Sequence, residues 1–483
     1  MSSEPQLPKE LCESLPPEVK AYLQVLEEQV VLLRGQVVAL QAQVEQLQAQ
    51  LKQTSQNSSR PPSSDPPSAP ARPKKGSSGR KRGGQPGHPG HQRHMVAESD
   101  LTAIEVHWPD TCPHCATVLP RVVLAESEML RQQVWDLPPI VPQVVEHRYP
   151  TVGCPQCDAA VRAPRPAHVP PGAFGAQLTS LVGLLNGRYR LSKREVADLL
   201  ESAFGVEMSL GMVVRATEHL AAALAAPYSE VQDALTASRQ ANVDETGWKQ
   251  AGARRWLWVA VTSMATLFLL ACSRAGQELE QLLGAGYGGI VGSDRYRAYL
   301  RLPIAQRQLC WAHLKRDLVA CSQASGATGA WGRRALEVVA QLFALWHRFK
   351  EQELDRPTLQ REMQPHRETF AALLAEGRKL PAWSKAHAFC TDVRTVEPAL
   401  WTFLFAEEVE PTNNAAQRAL RPAVLWRKGC FGSQSASGLR FAERILTVTA
   451  TCKQQQRPLL PFLTDALAAH WAGLSAPALL ATP

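Results

Sequence analysis

Two cysteine pairs constrain this chain more than any other local feature. Cys112-Pro-His-Cys115 is followed, after an intervening stretch, by Cys154-Pro-Gln-Cys157. A CxxC turn places two thiolates where one tetrahedral ion can take both, and two such turns complete a closed four-sulfur site. The spacing predicts one structural Zn²⁺ on Cys112, Cys115, Cys154 and Cys157, with no position left open for a substrate. His114, inside the first pair, reads as a bystander. A ribbon of this kind orders a small module that binds nucleic acid or protein, so the flanking sequence must say what it serves.

The chain has 483 residues, enough for two or three domains with cores of their own. Its net charge is +8. That excess suits a polyanionic partner without specifying one. The cysteine count is odd, at eleven, and no apolar leader precedes a cleavage site. A disulfide framework and export are therefore not expected. The longest apolar stretch, residues 256–271, is broken by Thr262, Ser263 and Thr266. It is short for a membrane span and rich in strand formers. The expectation is a soluble cytoplasmic protein with no membrane partner.

Residues 19–51 carry a heptad seam. Leu23, Leu26, Val30, Leu33, Val37, Leu40, Val44, Leu47 and Leu51 follow alternating steps of three and four. Val at one seam position and Leu at the other favours a parallel dimeric coiled coil. Residues 52–100 then read as a disordered linker, first rich in Ser and Pro, then basic and glycine-rich. Lys74, Lys75, Arg80, Lys81 and Arg82 precede Gly-Gly-Gln-Pro-Gly-His-Pro-Gly. Too little apolar surface is present to offset the entropy of ordering it. It reads either as a solvated spacer or as an arm lying along DNA phosphates.

Residues 101–169 form the zinc-binding ribbon, with strands expected at 132–136 and 143–149. Residues 170–237 read as a helical, helix-turn-helix-like domain. Its second helix opens on a capping box, Ser192-Lys-Arg-Glu195, with Gly205 as the stop. Such helices suit a DNA-reading unit or a plain bundle equally.

From residue 238 the pattern changes to strands. Residues 241–248, 255–261 and 266–271 read as an antiparallel meander, 278–283 as a short helix, and 289–294 as a buried strand ending in Asp294. Three antiparallel strands, a helix and a fourth strand is the order of a ribonuclease-H-like core. The class expected is thus multidomain, α+β and α/β. First and fourth strands are neighbours in that order, so Asp244 and Asp294 would converge. Convergent carboxylates collect Mg²⁺, and two such ions serve phosphodiester transfer. Glu245, one residue on, falls on the opposite face of the strand.

The chain here resembles a known family over nearly its whole length, the bacterial DDE transposases of the insertion sequence 66 family. The resemblance rests on the N-terminal seam, NSSRPPSSD, GGQPGHPGH, the paired CxxC ribbon and VDETGW at 243–248. It also rests on SDRYRAY at 293–299, CWAHLKRDL at 310–318 and the block from Pro411 to Gln455. It implies a catalytic domain over 238–455 with a helical insertion at about 322–405, followed by a C-terminal helical tail, 456–483. It also implies two catalytic Mg²⁺ ions and strand transfer at the ends of a mobile element in the bacterial nucleoid. Its partners would be terminal-repeat and target DNA, a second copy through the seam, and possible accessory proteins of the same element.

Asp244 and Asp294 match the first two acids of the family. The third does not match. Where the family has Glu, this chain reads Asn413-Asn-Ala-Ala-Gln417. An amide oxygen can still contact a metal, but it brings no charge, and hard cations are held largely by charge. The expectation is impaired chemistry on a preserved scaffold, with Glu443 as an alternative third acid. A DNA-binding relative that dimerises and occupies or represses element ends is the other reading. His313 and Arg316 share a helix face and are candidates for phosphate contact. Arg418, Arg421, Arg427 and Lys428 read as a basic surface on the last helix and a strand after it. Asn413 and Asn414 read as capping residues.

Overall fold

The computed structural model describes residues 15–51, 53, 54, 57, 94–122 and 129–480. The chain divides into two compact units, one of Ala71–Val144 with Ala203–Gly205 and one of the remainder. The expected linker falls almost wholly outside the described residues, and Lys74, Lys75, Arg80, Lys81 and Arg82 with it.

In the smaller unit the described residues are mostly irregular, with one 3₁₀ turn at Glu98–Asp100. The strand expected at 132–136 is not formed, because period-two alternation supplies no partner strand. Gln133 instead uses its side-chain amide as a strand would use its backbone. Its Oε1 accepts from Val96 N at 2.9 Å and its Nε2 donates to Val96 O at 3.0 Å. Arg131 pairs with Glu98 beside this clasp at 3.0 Å.

The larger unit begins with helix α1, Pro17–Leu51. Val30, Leu33, Val37, Leu40, Val44, Leu47 and Leu51 are all exposed along it. Residues 143–149 form no strand either; the ribbon here is the hairpin of β1, Thr151–Gly153, and β2, Ala160–Arg162. Four helices follow: α2 Ala176–Gly187, α3 Lys193–Phe204, α4 Leu210–Ala223 and α5 Ala225–Thr236. The capping box forms as the sequence predicts. Ser192 N donates to Glu195 Oε2 at 2.6 Å, and Glu195 N to Ser192 Oγ at 3.2 Å.

The sheet comprises β3 Gln240–Gln250, β4 Ala253–Val261, β5 Thr266–Ala271, β6 Ile290–Ser293 and β7 Arg307–Leu309. Its order is β5-β4-β3-β6-β7. The first three strands form the expected antiparallel meander, and β6 and β7 run parallel to β3. Helix α6, Glu278–Leu283, bridges β5 and β6 as expected. Strand β7 is only three residues long, too short for its alternation to register in the sequence.

Five helices follow: α7 Trp311–Ser322, α8 Gly326–Lys350, α9 Arg356–Gly377, α10 Lys385–Arg394 and α11 Thr402–Phe405. They have their own hydrophobic core, from Leu309 to Val409, centred on Trp311, Trp331, Phe370 and Trp401. This core begins about a dozen residues before the expected insertion boundary, because Trp311 and Leu314 turn into it. Three helices come last: α12 Asn414–Cys430 and α13 Ala436–Gln454 return to the sheet, and α14 Leu459–Ala472 packs on α2 and α4. The strand expected after the last basic helix is part of α12, which continues through Pro422 to Cys430.

Helices α2, α4 and α5 share one core with the sheet and with α12–α14. Gly187 shows how close this packing is: a Cβ there would lie 2.5 Å from Ile445 Cγ1. The C-terminal segment is equally integral. Leu479 is fully buried, and the N–H groups of Leu479 and Leu480 donate to the Glu230 carboxylate at 2.7 and 2.9 Å.

The free edge of β5 is closed by side chains of α13. Leu270 N, Phe268 N and Thr266 N donate to Glu443 Oε1 at 2.6 Å, Thr447 Oγ1 at 3.0 Å and Thr451 Oγ1 at 3.2 Å. Two strand residues rise ~6.8 Å and four helical residues ~6.0 Å, so the two ladders stay in step over three rungs. An unpaired strand edge is a template for wrong pairing, and here it is satisfied without a further strand.

Candidate active site and metal-binding turns

Asp244 lies in the middle of β3. The parallel register pairs Asn242 with Gly292, so Asp244 on β3 and Asp294, the residue that directly follows β6, stand level, each two residues beyond that pair. Burial, then the nearby Glu245 and Asp294 carboxylates, push the Asp244 carboxyl up to about 8. Burial also raises Asp294, whose Oδ1 accepts from Tyr296 N at 2.8 Å. Two such carboxyls favour a cation beside them, because its charge offsets the burial that otherwise holds protons on them.

Glu245 takes the opposite face of β3, as alternation requires. Its side chain is fully buried and salt-bridged to Arg274 Nη2 at 2.5 Å, and it accepts from Tyr299 Oη at 2.5 Å. The Arg274 guanidinium lies 3.6 Å from the Tyr296 ring centroid and 5.0 Å from that of Trp256. Glu245 thus ties β3 to the segment after β5 and to the turn after Asp294. It was not singled out as a site residue in the sequence, since its role depends on residues far along the chain.

Asn413 carries the link to α12. It occupies the cap position of that helix but makes no side-chain cap bond. Its Nδ2 donates to Val243 O at 2.8 Å, one residue before Asp244, and its N–H donates to Cys310 Sγ at 3.1 Å. Gln417 is one helical turn further on. Its Nε2 donates to His313 Nε2 at 3.0 Å. Burial, then Arg316 and Arg295, lower His313 to about 3, so its ring is neutral at physiological pH.

Two other candidates have structural partners. Glu443 belongs to the β5 edge ladder, with β4 between that strand and β3. The structure does not bring it to the Asp244–Asp294 pair. Arg427 turns inward, donating to Gly247 O and, at 3.2 Å, to Thr246 Oγ1. Arg418, Arg421 and Lys428 remain exposed on α12, and Arg316 is half-buried.

Asp244 and Asp294 fit two ligand positions for Mg²⁺. Gln417 supplies no third charge. Among the described residues of either unit, no three or more His, Cys, Asp or Glu side chains gather into a metal site.

The two CxxC turns repeat one geometry. Cys112 N donates to Thr117 O and Cys154 N to Ala159 O, each at 2.9 Å. The residue after each second cysteine is left-handed, Ala116 at φ 58° and Asp158 at φ 51°. The Thr117 hydroxyl and N–H lower the Cys115 thiol, and the N–H groups of Gln156 and Cys157 lower Cys154. Metal binding requires thiolates, so each turn by itself offers a pair of cysteines suited to a metal such as zinc.

The family models place the chain among transposase-type proteins. The family model "Transposase IS66 family" matches residues 172–440, and the chain belongs to that family. The model of the zinc-finger binding domain of transposase IS66 matches residues 109–158. A family of unknown function (DUF6444) matches residues 13–94. Two proteins of Sinorhizobium fredii are similar. The uncharacterized protein y4hP is 23% identical over 65% of this chain and 63% of its own length. The uncharacterized protein y4qI is 24% identical over 75% of this chain and 71% of its own length. Among the described residues no helix is long and apolar enough to cross a membrane.

Proposed function

We propose that this protein is a DNA transposase whose strand cleavage and joining are impaired by Gln417. The observation that carries the reading is the level pair Asp244 and Asp294, with Gln417 on the first turn of the helix that Asn413 anchors beside them. The strand order supports a ribonuclease-H-like core. Asp244 and Asp294 would hold Mg²⁺, which when bound neutralises phosphate oxygens and makes an attacking hydroxyl or water more acidic. Neutral His313 accepts from the Gln417 amide and orients it. Arg418, Arg421 and Lys428 bind DNA phosphates along α12.

The remaining assignments are parts of the same reading. Cys112, Cys115, Cys154 and Cys157 hold one structural Zn²⁺. The exposed apolar seam of α1 pairs two copies. The basic arm at 74–82 and helices α2–α5 engage the element ends. A second reading is a non-cutting relative that occupies or represses those ends; the neutral Gln417–His313 pair at the third ligand position favours it.

The test is cleavage and joining of labelled element ends with Mg²⁺ or Mn²⁺. Wild type runs beside Gln417→Glu, with Asp244→Ala as the blank. Silence in wild type and activity in Gln417→Glu support a disabled transposase. Efficient cutting by wild type that Asp244→Ala abolishes sinks the impairment claim. Tight end binding without cutting by any variant supports the second reading.

A further inference from the structure

Phe431 ends α12 in a left-handed conformation, φ 60° and ψ 8°, with its N–H on Arg427 O. A bulky side chain is disfavoured there, and glycine is the usual residue after a helix end. Phe431 nevertheless stands 76% exposed, so burial does not account for it. Its loop is fixed from both sides. Ser433 N donates to Lys249 O and Ala251 N to Ser433 O, each at 2.9 Å, clamping the loop to the β3–β4 hairpin. Gly432 permits this approach, since a Cβ there would lie 2.4 Å from Lys249 O. The loop therefore fixes the backbone that presents an aromatic ring to solvent.

The ring does not stand alone. Ala416, Leu420, Ala423 and Trp426 bury one face of α12. The opposite face exposes Arg418, Arg421, Leu425 and Lys428, at steps of three, four and three. This basic stripe starts beside Gln417 and leads to Phe431. Fourteen residues at 1.5 Å each make the path about 21 Å. That is about six nucleotides at 3.4 Å per step.

We infer that this face tracks a DNA strand leaving the Asp244–Asp294 pair, and that Phe431 stacks on an unpaired base about six nucleotides away. Cations along the path neutralise phosphates, and an aromatic at its end offers every base a π-face. The inference rests on the proposed DNA-processing function and adds a contact with unpaired DNA.

The probes are two oligonucleotides of arbitrary sequence, a forked duplex and a fully paired one, each with a single 2-aminopurine stepped along the end. Full-length wild type should change the fluorescence at one forked position. Phe431→Ala should lose that signal and bind the fork about tenfold more weakly, with paired-duplex affinity within about twofold. Phe431→Trp should keep the signal. Phe431→Gly removes the steric conflict, so it should melt no lower than wild type while losing the signal. The inference fails if Phe431→Ala matches wild type on both probes, or if Phe431→Gly unfolds. If wild type binds neither probe, the DNA-processing reading falls first. If it binds both but no position responds, only the stacking claim falls.

Discussion

The amide nitrogen of Gln417 lies 3.0 Å from Nε2 of His313 and donates to it. Each is on the first turn of its helix, and the two helices begin more than a hundred residues apart. The pair is neutral, because burial and two arginines keep the imidazole deprotonated. A glutamate at 417 would meet the same ring as an anion and favour its protonated form.

Gln417→Glu should therefore raise Mg²⁺-dependent cleavage by roughly 10–100-fold, the scale of changes around a metal site. It should also raise the His313 titration midpoint. Single-turnover cleavage and histidine NMR titration read the two effects separately. Unchanged cleavage with a shifted histidine would place the defect elsewhere.

Glu443 should act through stability. Burial raises its carboxyl to about 7, above the ordinary glutamate value. A carboxyl raised on folding supports stability fully below its unfolded value, and that support is lost as pH rises through the folded value. The loss from about pH 4.5 to above 7 is on the order of 3 kcal/mol. Glu443→Gln keeps an acceptor for Leu270 N and has no proton to lose. Its urea midpoint should fall less than that of wild type between about pH 5 and pH 8. Glu443→Ala should cost about 1–3 kcal/mol by orphaning the Leu270 N–H. Parallel profiles for wild type and Glu443→Gln would refute the assignment.

Arg274→Ala should be among the more damaging single changes outside the apolar core. It leaves the Glu245 carboxylate, fully withdrawn from solvent, without its cation. Breaking one side of such a pair costs about 3–5 kcal/mol. Adding Glu245→Gln should recover part of the loss, and a double-mutant cycle on urea unfolding measures how much. No recovery would mean that Arg274 acts through its stacking on Tyr296 and Trp256 instead.

One equivalent of zinc per chain is expected by elemental analysis. Cys112→Ser and Cys154→Ser should each remove it under the proposal that both turns give thiolates to one ion. Loss in only one variant would show that the turns do not share a metal.

Val30→Asp in α1 should turn a dimer into a monomer by sedimentation equilibrium, because it places a charge in the proposed seam. A monomeric wild type would sink the seam reading outright.

Much of the local structure was legible in the sequence. The capping box at Ser192, the stop at Gly205, the meander and Asp294 at a strand end all follow from short-range rules. Hydrophobic period, cap chemistry and turn stereochemistry act within a few residues, and such signals survive in one dimension. The paired CxxC turns were likewise readable letter by letter.

Long-range partnership was not legible. Asn413 reads as a cap, yet it holds Val243 O across the molecule. Glu443 reads as a spare acid, yet it satisfies the edge of β5. Arg427 reads as a DNA contact, yet it pins the helix to Gly247 and Thr246. The runs at 132–136 and 143–149 alternate as strands do but find no partner. A residue's type and spacing determine what it is able to bond. Which group it does bond depends on what chain folding brings within about 3 Å, and only the tertiary structure decides that.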